Sequence, residues 1–530
     1  MIIILAFGES PKANLFSQMH IPSFFQLFLA YSLLLELACT SAYEVTSEEQ
    51  LARTYCRSCH AFPEPGLLDR TTWQESVLPQ MALRMGIAPS NINDPKIQQA
   101  YYHLTETGLY PRPALISTED WEKIVQFYDS LAPEGLPVTS DSLPITKQFT
   151  FHQPEKKLPP AVTCVYFHQE MQQMLVADHT QGQLLTIDSE WKAQPLVPQT
   201  KLVSHIQSLH SNQPDQSSLL ITYLGENIRP EDRPSGEVAE VILTKDTTLS
   251  YQKLDLPDLP RVTQALYIDL VGDTIPELLT CSFGYLNGRL SYWKKKESGS
   301  YEESVIRNEA GAQWAIPQDV NEDRKMDLFV LWGQGDERIA LYENQGEGAF
   351  EEKMLLRFPP SYGSSYFELA DFDDDSQPDI LYTCGDNADY SPVLKPYHGV
   401  YIFRNMGDFQ LKQQYFFPMN GAYRAIARDF DQDGDQDIAA VSFFADYAHR
   451  PKEGFAYLEH NGSFQFQAST LPIHELGRWI TLDAGDLDQD GDLDLVLGNC
   501  STAGGFDRTL DQQWKEGPPY VILENTHIPS

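Results

Sequence analysis

The chain has 530 residues, with 38 Lys and Arg against 75 Asp and Glu, a formal net charge of −37. That balance excludes nucleic acid and anionic lipid headgroups as partners, because both are bound by basic patches. Hydrophobic residues at 42% and aromatics at 12% exclude bulk disorder and supply a sizeable core, so the placing of the acid becomes the question.

The most apolar run is Phe24–Ala38, broken by Gln26 and Glu36. It is shorter than the ~20 residues a membrane-spanning helix needs and has the length of a signal-peptide core. Lys12 is the only basic residue ahead of it, and Met19 offers an alternative start. Cys39, preceded by Leu37 and Ala38, resembles a bacterial lipoprotein cleavage site, although Glu36 stands where that site usually has an aliphatic residue; cleavage after Ala42 is the other option. Residues 1–42 therefore read as an export leader. They direct the protein to the periplasm or the outer-membrane or cell surface, with membrane attachment only through a lipid anchor at Cys39.

Next comes Cys56-Arg57-Ser58-Cys59-His60. This spacing sets two thiols one turn apart for the vinyl groups of haem and supplies an axial histidine nitrogen to the iron. The chain holds no second Cys-x-x-Cys to make a zinc site, and no βαβ pattern to make a thioredoxin-like one. Ser47-Glu48-Glu49-Gln50 reads as a helix start, and Ser117 to Asp120 as a capping box ahead of an amphipathic helix ending before Pro133. Residues 43–132 thus resemble a small all-α class I cytochrome c, with covalent haem c on Cys56, Cys59 and His60. The sixth iron position falls to Met81, with Met85 and His103 as alternatives. A Pro- and Ser-rich stretch, 133–160, reads as a linker.

From residue 161 to 530 the chain repeats. Asp319, Asn321, Asp323 and Asp327 form a nine-residue acidic loop. It recurs as Asp371, Asp373, Asp375 and Asp379, as Asp429, Asp431, Asp433 and Asp437, and as Asp486, Asp488, Asp490 and Asp494. A worn copy starts at Asp269, where Val271 and Ile275 offer no side-chain ligand. Each loop leads into an apolar run, and a period of this length marks a solenoid or propeller. Oxygens at positions 1, 3, 5 and 9 converge on a hard cation when the chain turns tightly, and Gly434 and Gly491 at position 6 permit that turn. Ca²⁺ suits the donors better than Mg²⁺, and an EF-hand is excluded because position 12 is Ala440 or Leu497 and not Glu.

The pattern resembles the FG-GAP/VCBS repeats of integrin-type propellers. That resemblance implies a mainly β, seven-bladed β-propeller, with about four Ca²⁺ stapling the first two strands of blades. Five blades are marked by loops and two more fit in 161–256. Lys147–His152 is expected to complete the last blade and close the ring. Cys164, Cys281, Cys384 and Cys500 read as buried thiols, with a disulfide among them left open. Aromatic loop residues (Tyr362, Phe443, Phe444, Tyr447, Phe506 and Trp514) either line a binding face or pack between blades. The whole resembles exported bacterial proteins that join a haem module to VCBS repeats. Three roles fit it. One is electron transfer, with the propeller as docking platform for a protein redox partner or a glycan. The others are a haem-linked oxidoreductase with its substrate on the propeller face, and a non-catalytic adhesion scaffold.

Overall fold

The computed structural model describes residues 46–89, 93, 95–106, 108, 110–138, 142–154, 159–210, 216–228, 231–244, 247–388, 393–502 and 510–526. Residues 1–42, where an export leader is expected with Cys39, lie outside the described residues, as does the side chain of His103. No helix among the described residues is long and apolar enough to cross a membrane.

Seven four-stranded antiparallel sheets follow one another around a ring. Blades 1 to 6 span residues 162–198, 202–253, 262–307, 312–357, 364–418 and 422–469, and blade 7 spans 479–525. Burial explains their internal order. The second strand of a blade has neighbours on both faces, so it reads as an unbroken apolar run: Asp327–Trp332 and Asp437–Ser442 are buried at every residue. The outermost strand Ala349–Arg357 faces solvent on one side and alternates accordingly.

Blade 7 is completed from the other end of the propeller sequence. Strand β1 (Phe149–His152) pairs antiparallel with β28 (Tyr520–Asn525), Phe149 opposite Asn525 and His152 opposite Ile522. The expected ring closure is therefore present, starting two residues later than Lys147. Phe149 is buried edge-on against Tyr457 at 5.3 Å and Phe430 at 5.8 Å. The segment ahead of it is not a free spacer throughout. Ile145 bridges Thr470 of blade 6, with Thr146 N–H donating to the Thr470 carbonyl at 2.9 Å.

A second device holds neighbouring blades together. In each blade the pairing of first and second strands skips one residue near the start of the first strand: Thr163, Ser204, Thr263, Gln313, Ser365, Tyr423 and Ile480. Five of these donate to the first strand of the next blade. Thr163 bonds the Val203 carbonyl at 2.7 Å, Ser204 that of Val262 at 3.0 Å, and Thr263 that of Ala312 at 3.3 Å. Gln313 bonds Ser365 O at 2.7 Å, and Ser365 bonds Ala422 O at 3.1 Å.

The helical module is built as its caps imply. Helix α1 (Ser47–Cys56) starts at Thr46, whose hydroxyl accepts from Glu49 N–H, and the terminal helix Thr118–Leu131 starts at Ser117, which accepts from Asp120 N–H at 3.1 Å. The two helices pack around Ala52, Ile124 and Tyr128, joined in one core by Trp73, Leu78 and Met85. The module sits on the propeller: Val393 joins its core, and Tyr397 donates to the Leu67 carbonyl at 3.1 Å.

Candidate functional site

Every acidic loop lies between the first and second strands of its blade, as expected. Positions 4 and 6 are left-handed in all of them: Glu322 and Arg324, Asp374 and Ser376, Gln432 and Gly434, Gln489 and Gly491. Only two of these eight are glycine, so Arg324 and Ser376 hold the turn against their own preference. The turn gathers the carboxylates at positions 1, 3 and 5. Asp371, Asp373 and Asp375 form one group, Asp429, Asp431 and Asp433 a second, and Asp486, Asp488 and Asp490 a third, each with ligand atoms within 4.8 Å of one another. In the fourth loop Asn321 Oδ1 and Asp319 Oδ1 converge on the amide of Asp323, at 3.0 and 3.1 Å.

The structure sets position 9 apart. Asp327, Asp379, Asp437 and Asp494 are not among the grouped atoms; each opens a second strand, almost fully buried, with both carboxylate oxygens accepting from backbone amides. Asp327 accepts from Val320 at 3.1 Å and Asn344 at 2.7 Å. Asp379 accepts from Phe372 at 3.2 Å and Asn405 at 2.8 Å. Asp437 accepts from Phe430 and His460, and also from the Tyr457 hydroxyl at 2.7 Å; Asp494 accepts from Leu487 and Asn525. These residues tie the loop to the third strand. In the worn copy Glu277 does the same, accepting from Leu270 N–H at 2.9 Å. From sequence Asn344 and Asn405 read only as hairpin-turn residues after the acidic loops, and their bond to position 9, like that of Asn525, is not foreseen. The Asn344 side chain also reaches the Leu270 carbonyl of the preceding blade at 2.9 Å, and that of Asn525 reaches Phe430 O at 2.7 Å. An asparagine recurring at the end of three third strands was the available signal.

The loops differ in charge compensation. Lys325 donates to Asp323 at 2.9 Å and holds that carboxyl below its ordinary range. Arg404, from the third strand, pairs with Asp373 at 2.5 Å. Blades 6 and 7 instead carry a further aspartate at position 7. Burial first, and then Asp433 and Asp431, push Asp435 up to about 6. Burial and Asp490, Asp488 and Asp486 push Asp492 up to about 7. Asp435 Oδ1, Asp486 Oδ1 and Asp492 Oδ1 are buried without a hydrogen-bond partner. Crowded hard oxygens with unused lone pairs fit a divalent cation such as Ca²⁺.

In the helical module Cys56 ends α1 and Cys59 lies in the turn beyond it, half-buried and exposed respectively. His60 Nδ1 sits 2.8 Å from the Ala61 carbonyl, which fixes the proton there and leaves the Nε2 lone pair available. Burial lowers the His60 pKa and favours the neutral ring. Met81 and Met85 both pack in the core that includes Cys56. The four remaining described cysteines, Cys164, Cys281, Cys384 and Cys500, are buried. Phe443, Phe444, Tyr447 and Trp514 are buried, with Tyr447 against Trp514 at 4.6 Å, so the packing reading holds for these aromatics.

The model of the FG-GAP-like repeat matches residues 319–382 and 429–497. The propeller therefore contains FG-GAP-like repeats around the acidic loops of blades 4 to 7. The match lies wholly within it, outside the helical module. Among solved structures, a luciferin-regenerating enzyme is 10% identical with a TM-score of 0.37, over 72% of this chain and 99% of that one. The N-terminal domain of Nup159 is 12% identical with a TM-score of 0.39, over 72% and 98%.

Proposed function

We propose that the chain is an exported c-type haem protein whose helical module transfers electrons, with the calcium-stapled propeller as docking platform for a protein partner or glycan. The observation that carries it is His60 within Cys56-x-x-Cys59-His60: a neutral ring, its Nδ1 proton committed to Ala61, its Nε2 left as a ligand. Haem held by Cys56, Cys59 and His60, with Met81 or Met85 as sixth ligand, would supply one-electron chemistry there. The Ala61 carbonyl orients the imidazole and raises its basicity. Export through residues 1–42, to the periplasm or to the outer-membrane or cell surface with lipid on Cys39, belongs to the same reading, since c-type attachment takes place outside the cytoplasm. Expression with c-type maturation, followed by a reduced absorption spectrum, tests it: an α-band that disappears in Cys56→Ser/Cys59→Ser is expected. A colourless protein after such expression removes the reading.

One observation favours a second role as a haem-linked oxidoreductase. The loop between Cys384 and Gly399 gives Val393 and Tyr397 to the helical module and Asp386 to a cavity on the propeller axis. Module and cavity thus share one face. Turnover of a substrate panel with an artificial electron acceptor separates this role from electron transfer alone.

A further inference from the structure

The propeller axis is blocked part-way by side chains from four blades. Trp314 lies between His205 and Tyr366, with ring centroids 5.2 Å from each. The Arg424 guanidinium lies 4.7 Å from the Tyr366 ring and 5.7 Å from that of Trp314. Over this layer is a cavity of about 130 Å³, walled by the seven residues skipped in the strand pairing, Thr163 to Ile480, and bordered by Phe283, Arg261 and Asp386.

Arg424 is the anomaly. In a chain with twice as many acids as bases it forms no ion pair among the described residues, and its Nε is buried without a hydrogen-bond partner. The two carboxylates whose fields reach it, Glu368 and Asp483, form no ion pair with it, although Glu368 Oε2 is itself buried without a hydrogen-bond partner. Glu368 pairs with Arg428, and Asp483 accepts from the amides of Phe167 at 2.8 Å and Ala484 at 3.0 Å. Thr481 Oγ1, in the same cavity wall, is also buried without a partner. A buried cation left unmatched is costly unless something completes it.

We propose that this axial cavity binds a small monocarboxylate, its two oxygens on the Arg424 guanidinium and its apolar part against Trp314, Tyr366 and Phe283. The planar guanidinium matches a carboxylate by two parallel hydrogen bonds. Arg261, which donates to the Ile228 carbonyl at 2.9 Å, adds positive charge at the border, while Asp386 opposes a second negative charge on the ligand. At about 130 Å³ the cavity is smaller than the closed cavity of about 150 Å³ that accepts benzene, but it is open on one side, so an acid of benzoate's size fits by extending through the opening. The site is a property of the propeller and does not depend on haem.

The test uses benzoate and its neutral isostere benzamide, titrated calorimetrically into the full chain, with thermal shift as second readout. Saturable benzoate binding at least about tenfold tighter than benzamide is expected, with Arg424→Lys weaker and Arg424→Gln abolishing the preference. Cys56→Ser/Cys59→Ser should bind benzoate as the parent does, so failure of the haem reading leaves this result unchanged. Equal binding of the two probes, no saturable benzoate binding, or an unaltered preference in Arg424→Gln overturns the proposal. If Arg424→Gln does not fold, the two-probe comparison on the parent chain decides.

Discussion

Glu337 shows how one buried carboxylate writes a pH dependence into the fold. It is 2% exposed, at the border of blades 4 and 5, and accepts from Ser364 N–H at 2.7 Å, Ser364 Oγ at 2.6 Å and Gly363 N–H at 3.2 Å. Burial outweighs those bonds and pushes its pKa from 4.5 up to about 7. The folded state therefore holds this proton where the unfolded state has released it. The contribution to stability is complete below pH 4.5 and is lost as pH rises through 7. Unfolding by urea with Ca²⁺ held saturating should show stability falling between pH 5 and 8, and Glu337→Gln should flatten that slope by on the order of 2–3 kcal/mol. Glu453, also pushed up to about 7, acts in the same direction and leaves a residual slope. An unchanged slope in Glu337→Gln would show that Glu337 does not carry it.

Within one blade, the acidic loop divides its aspartates between two jobs, and substitution separates them. Positions 1, 3 and 5 gather carboxylates into a group that could hold a metal ion, while position 9 serves backbone amides. In chelator, Asp431→Asn should be neutral or slightly stabilising, because it removes repulsion from Asp429 and Asp433. Asp437→Ala should cost about 3 kcal/mol or more under the same conditions, because it orphans the Phe430 and His460 amides and the Tyr457 hydroxyl. In Ca²⁺ the order changes: Asp431→Asn also loses the metal-dependent rise in Tm. Equal losses for the two variants in chelator would show that position 9 has no separate structural role. The loops, the blade count and the closing strand could be read from the sequence because each is a local pattern, a short spacing of acids followed by an apolar run. The position-nine role could not, since its partners Asn344, Asn405, His460 and Asn525 arrive from the third strand at distances set by insertions of varied length. Arg404, which compensates one of the loops from the third strand, was hidden in the same way, whereas Lys325 stands in its own loop two residues from Asp323. The aromatic insertions left two readings open for a related reason: composition does not show whether a loop folds back on its own blade and buries its residues, as Phe443, Phe444, Tyr447 and Trp514 are buried.

Across the whole ring, closure and the blade 7 acidic loop meet in one residue. Asn525 ends strand β28, pairs with Phe149 of the closing strand and donates its amide to Asp494, while its side chain reaches the Phe430 carbonyl of blade 6. Gln148 holds the same side chain from the closing segment at 2.8 Å. The blade 7 loop is therefore wired through Asp494 to β1, the strand that joins the two ends of the propeller. β1 is four residues long, with Phe149 its one fully buried side chain, so its grip is limited. Phe149→Ala should cost about 3–5 kcal/mol and should expose the edge of β28. Hydrogen exchange should then show the amides of Tyr520–Asn525 losing protection first, with the second strands of blades 2 to 4 still protected. Removing Ca²⁺ from the parent chain should produce the same local pattern, since releasing the cation lets the carboxylates around Asp494 repel. If both act on one closure, Phe149→Ala and chelation combined should lower Tm by less than the sum of their separate effects. Strict additivity, or loss of protection spread evenly over all seven blades, would place the two effects on independent parts of the ring.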